Sequence, residues 1–172
     1  MQLGMTIPLQ NFIKAPKPPY GDMENLFFCW EVHNITLQGQ SNLVVVNANN
    51  RFTAVLSPMG QEDWKQLARR VAEAIESGLG SEGYSKEQID GYFRLAGPAE
   101  ITKTHGRKPV AGLNQAIDQL FRIPVKLNTR CRFQDFHCKA VNRERYRPAG
   151  YEEYGLPVDY MEADMRKNKL IF

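Results

Sequence analysis

The stretch Trp30 to Leu56, WEVHNITLQGQSNLVVVNANNRFTAVL, holds the densest run of strand-forming residues in the chain and decides its fold. Three extended segments, Trp30 to Thr36, Leu43 to Asn47 and Phe52 to Leu56, are separated by LQGQSN and ANNR. The Gly and Asn residues of these breaks tolerate the positive φ that tight hairpin turns require, so the pattern predicts an antiparallel meander. Leu43 to Val46 is continuously apolar where a half-exposed strand would alternate. It is therefore expected to be a central strand with both faces covered.

Working outward, Leu3, Met5 and Ile7 alternate with polar or small residues, the period of a short strand that joins the same sheet. Asn11 to Asp22 carries Pro16, Pro18, Pro19 and Gly21 and reads as a surface connection. Trp64, Leu67, Ala68, Val71, Ala72 and Ile75 fall at helical spacing, and Gly78 is placed to close that helix. A capping box at Ser85 and Gln88, with Tyr84 and Ile89 as its hydrophobic staple, starts a second helix that stops at Gly97-Pro98. Glu100 to Thr104 is a short strand. Pro109 suits the first turn of a third helix, whose buried stripe is Val110, Leu113, Ile117, Leu120 and Phe121 and which ends before Pro124.

These elements predict an α+β fold, a mainly antiparallel sheet packed with about three helices. Beyond Pro124 regularity fades and charge separates into blocks. Lys126 to Arg147 has seven basic and two acidic residues, whereas Pro148 to Met165 has five acidic residues and no Lys or Arg. The expected organisation is an α+β domain over residues 1–124 and an irregular, charge-segregated C-terminal extension over 125–172, packed on or beside it.

Composition narrows the class. With 172 residues, 42% hydrophobic and 24% charged, the chain has the make-up of an ordinary globular domain, not of a disordered or fibrous chain. A net charge of +3 is a weaker basic excess than non-specific nucleic-acid binders usually carry, so function must be sought in local clusters. Three cysteines, Cys29, Cys131 and Cys138, without a secretory leader argue against a disulfide framework and for a cytoplasmic location. No apolar run approaches membrane-span length.

Two basic regions stand out. Thr102-Lys103-Thr104-His105-Gly106-Arg107-Lys108 combines a strand, a glycine turn and a helix start, an arrangement that offers amides and cations to an anion. Its candidate ligand-holding side chains are Lys103, His105, Arg107 and Lys108. The second region interleaves Arg130, Arg132, Arg143, Arg145 and Arg147 with Phe133, Phe136 and Tyr146, as in proteins that stack rings on bases and place cations on phosphates. In the bland alternative, the phenylalanines are core anchors and the arginines pair with the acidic tail. Asn114 lies four residues after Val110, hence on the apolar face, where its amide needs partners. Glu31 and His33 share one face of a strand and, with His105 reaching them from the later turn, could form an acid/base group. Cys131, His137 and Cys138 lack the paired spacing of a zinc site, and neither metal nor cofactor is expected.

The order of motifs Trp30-Glu31-Val32-His33-Asn34, Leu43-Val44-Val45-Val46-Asn47, Asn50-Arg51-Phe52, then Thr102-Lys103-Thr104 with Arg107 and Asn114, resembles a widespread bacterial family of small proteins known as a domain of unknown function. The resemblance covers about residues 1–121. It departs from the family at Met5-Thr6-Ile7, where Cys-Thr-Lys is usual. The resemblance implies an α+β architecture and points to Asn47, Arg51, Arg107 and Asn114 as a polar cluster, but transfers no catalytic role.

The function expected from these readings is a non-enzymatic binding protein that contacts nucleic acid or another anionic partner through the basic turn and the basic-aromatic segment. One alternative is an antitoxin-like or regulatory protein-interaction module docking through Glu152, Glu153, Asp159, Glu162 and Asp164. The other is a small metal-independent hydrolase or nuclease using His105, His33, Lys103 and Arg107.

Overall fold

A computed structural model describes all residues, Met1–Phe172. A single five-stranded sheet in the order β4-β3-β2-β1-β5 forms the middle layer. Its strands are β1 (Gln2–Met5), β2 (Cys29–Leu37), β3 (Gln40–Asn47), β4 (Thr53–Leu56) and β5 (Glu100–Lys103). Strands β2, β3 and β4 are the meander read from the sequence, antiparallel in sequence order. Strand β1, however, runs parallel to both β2 and β5. The sheet is thus mixed, not mainly antiparallel. Parallel pairs need long crossovers and leave no turn signature between their strands, so local pattern could not reveal them.

Seven α-helices replace the expected three: α1 (Ile7–Phe12), α2 (Gln61–Lys65), α3 (Leu67–Ser81), α4 (Lys86–Ala96), α5 (Arg107–Arg122), α6 (Asp135–Asn142) and α7 (Pro157–Lys167). In α1, Thr6 caps the first turn by accepting from the Leu9 amide, and Pro8 sits where a missing N–H costs nothing. This ends the first strand at Met5 and leaves Ile7 72% exposed instead of buried in the sheet. Gly78 does not end its helix. It lies inside α3 at the closest approach to the sheet, where a Cβ would stand 3.2 Å from a carbon of the Phe52 ring. The capping box at Ser85 and Gln88 is present as read.

Strand β3 is covered on both faces. Leu43 and Val45 join a large cluster with α3, α4 and α7, while Val44 and Val46 join a smaller one with α5 and α6. Within the larger cluster the Trp30 indole N–H donates to the Tyr92 hydroxyl at 2.8 Å, and that hydroxyl donates to the Phe27 carbonyl at 3.1 Å. Both aromatic residues are fully buried, so this chain satisfies polar tips that would otherwise be stranded in hydrocarbon.

The chain after residue 124, expected to be irregular, forms α6 and α7 and enters both clusters. Cys138 and Val141 pack under the sheet with α5, and Met161 and Met165 of α7 reach the opposite core, both at 0% exposure. No helix is long and apolar enough to cross a membrane.

The two meander turns differ. Gln38 and Gly39, with φ of 53° and 76°, make the two-residue hairpin expected of paired positive φ values. In the second turn the left-handed residue is Arg51, at φ 66°, and not an asparagine. The asparagines work through their side chains: the Asn47 carboxamide oxygen accepts from the amides of Asn49 and Asn50, and that of Asn50 from the amide of Phe52. Forcing Arg51 into this conformation directs its side chain beneath α5.

Candidate functional site

The basic turn splits in two directions. His105 goes inward. Its backbone N–H donates to Glu31 Oε1 at 2.7 Å, and its Nδ1 lies 3.0 Å from the same oxygen. Nε2 faces Gln2 Oε1 at 3.1 Å. Burial pulls the imidazole pKa down, but the neighbouring Cys29 sulfur and the Glu31 carboxylate outweigh it and hold the value up at about 9. Glu31 and His105 are 0% and 1% exposed. His33 is not part of this group; its Nδ1 meets the Thr6 hydroxyl at 2.6 Å, and burial lowers its pKa. Lys103 stands over the Tyr20 ring at 3.4 Å. Arg107 and Lys108, in the first turn of α5, face solvent.

The arginines of the second region also diverge. Arg132 pairs with Asp63 at 2.6 Å, and Arg143 makes a bidentate pair with Glu82 at 2.9 and 2.6 Å. Their partners come from the α2 and α3 region, not from the acidic tail. Arg145 donates to the Tyr154 carbonyl at 2.8 Å, shaping the loop before α7. Arg130 is exposed. Phe133 packs into the core, whereas Phe136 is 56% exposed.

What the fold does bring together is Lys108 from the basic turn and Arg147 from the basic-aromatic segment. They border one cavity of about 330 Å³ with Tyr146, Tyr151, Glu152 and Tyr154. Tyr154 is 61% exposed and Arg147 lies over its ring at 5.7 Å. Tyr151 is fixed: it stacks on Tyr160 at 3.8 Å and its hydroxyl donates to Asp164 at 2.9 Å. Burial and the Asp164 charge push its pKa upward. Behind Tyr146 sits the Arg51 guanidinium, 4.6 Å from the ring centroid. Lys108 and Arg147 make no salt bridge, so their charges remain available to a ligand. The sequence signal for this wall was three tyrosines between positions 146 and 154.

Of the polar cluster implied by the resemblance, Asn47 and Arg51 share the second meander turn, where the Arg51 amide donates to the Asn47 carbonyl at 3.0 Å, but their side chains are engaged apart. Asn47 is spent in its turn, donating also to the Phe27 carbonyl at 2.8 Å. Arg51 is buried against Gln119 and the Val141 carbonyl. Asn114 is exposed, because Leu113, Ala116 and Leu120 set the buried face of α5 and Val110 lies only at its edge. The expectation that Asn114 sits on the apolar face is thereby corrected.

Of the acidic residues, Asp164 turns inward and accepts from Asn49, Asn50 and Tyr151. Glu162 pairs with Arg166 at 2.6 Å. Glu152, Glu153 and Asp159 face solvent. Cys131 is exposed, Cys138 is buried and His137 Nε2 faces the Val125 carbonyl at 3.1 Å. No group of three or more His, Cys, Asp or Glu side chains is placed to hold a metal.

A search of curated proteins finds no match. A family model does match, over residues 2–160, and so extends past the 1–121 span of the resemblance to take in Arg147 and the tyrosine wall. The chain therefore belongs to the family described as a domain of unknown function (DUF6933).

Proposed function

We propose that this protein binds single-stranded nucleic acid at the tyrosine-lined cavity between the start of α5 and the 146–154 loop. The observation that carries this reading is that Lys108 and Arg147, two unpaired cations from distant parts of the sequence, border one cavity with the exposed Tyr154 ring, over which Arg147 lies. Cations bind phosphates without regard to sequence, and an exposed aromatic face accepts any base, so the combination suits single strands. Glu152 on the same rim repels phosphate from one side and would orient the strand.

The hydrolase reading has less support, since Glu31 and His105 are sealed from solvent and His33 is engaged elsewhere. The acidic docking surface is likewise reduced, because Asp164 and Glu162 are used within the chain. A fluorescence-anisotropy titration of labelled oligothymidylate and oligouridylate at increasing salt tests the proposal. The logarithm of the binding constant should fall linearly with the logarithm of salt concentration, with a slope of about 0.7 per phosphate contact. Absence of binding at low salt overturns it.

A further inference from the structure

A second cavity, of about 400 Å³, lies between the end of α5, the 123–125 loop and α6. Its apolar wall is Ile123, Val125 and Phe136, with Val125 and Phe136 40% and 56% exposed. Gln119 and Arg122 supply polar groups at the α5 side, and Glu144, just past α6, places one carboxylate on the opposite rim. This volume is in the range of small-molecule sites, and the mixture of one apolar wall and a few convergent polar groups is their usual composition.

An independent observation comes from behind Gln119. The Arg51 side chain is 1% exposed, yet makes no salt bridge with any carboxylate. Its Nη2 donates to the Gln119 side-chain oxygen and its Nη1 to the Val141 carbonyl at 3.5 Å, so both contacts are made to residues of the cavity wall. Nε is buried without a partner. Desolvation lowers the guanidinium pKa to about 10 and outweighs the opposing pull of Tyr146 and of the more distant Glu144, neither of which forms an ion pair with it. A neutral amide oxygen is a weak substitute for an anion before a buried guanidinium, whose planar fork matches a carboxylate.

We infer that this cavity binds a small amphipathic carboxylate, its chain or ring against Phe136, Val125 and Ile123, its head group held by Arg122 and by Arg51 once Gln119 yields its place as acceptor. The cavity opens away from the proposed nucleic-acid surface, although Arg51 also lies behind Tyr146 of that surface, and neither inference depends on the other.

Octanoate and octanol, titrated into the full chain by calorimetry, are the probes. Octanoate should bind saturably and octanol at least about tenfold more weakly, a difference of about 1.4 kcal/mol. Arg122→Ala should weaken octanoate by about tenfold and leave oligonucleotide binding unchanged. Because Arg51 variants risk misfolding, Gln119→Glu is the decisive change. It supplies Arg51 with a built-in carboxylate, so it should raise Tm and abolish octanoate binding. No saturable octanoate binding, equal binding of octanol, or undiminished binding by Gln119→Glu each overturns the inference.

Discussion

His105 Nδ1 and Glu31 Oε1 lie 3.0 Å apart at 1% and 0% exposure, a buried pair that ties the turn before α5 to strand β2. The same carboxylate oxygen also takes the His105 amide, so one side chain fixes both the backbone and the ring. The folded pKa of His105, about 9, lies above its ordinary value of 6.5. The pair's contribution is therefore complete below about pH 6.5 and lost as pH rises through about 9. Tm should fall across that window. Glu31→Gln should lower Tm at neutral pH, costing about 3 kcal/mol, and flatten the decline. An unchanged pH profile in the variant would show that another group titrates.

Gly4 makes this pair possible. On β1, between β2 and β5, a Cβ at this position would stand 2.8 Å from His105 Nδ1 and closer still to Glu31 Oε2. Gly4→Ala should destabilise the protein by about 1–3 kcal/mol, measured by urea unfolding. A neutral effect would mean that the ring and the carboxylate have room to move apart.

Asp164 plays the corresponding part for α7, accepting from Asn49, Asn50 and Tyr151. Asp164→Ala strands these donors and should cost about 2–4 kcal/mol. Limited proteolysis should then cut first between α6 and α7. Cleavage elsewhere would show that α7 is held mainly by Met161 and Met165.

These contacts mark where sequence reading succeeds and stops. Strands β2 to β4 and the Ser85–Gln88 box follow from period and local chemistry, so they were legible, but of the stripe expected on α5 only Leu113 and Leu120 are buried, while Phe121 is 55% exposed. The parallel placement of β1 was not, because its partners are distant in sequence. Gly78 looked like a helix end, since a packing glycine and a capping glycine are the same residue without Phe52 in view. Helix α7 escaped notice because its Met161 and Met165 are dispersed among acidic residues. At the candidate site, Lys108 and Arg147 were both named from sequence, but their convergence was not. Nor could sequence show that Asp63 and Glu82 occupy Arg132 and Arg143.

That difference between free and occupied arginines gives the most direct test of the nucleic-acid reading. Oligothymidylate affinity should be measured at one low salt concentration for the wild type, the Lys108→Ala/Arg147→Ala double variant and Arg143→Ala, with matched Tm values. Affinity should fall by at least about tenfold in the double variant and remain within about twofold in Arg143→Ala. Equal losses in the two variants, or none in the double variant, would contradict binding at the tyrosine-lined cavity.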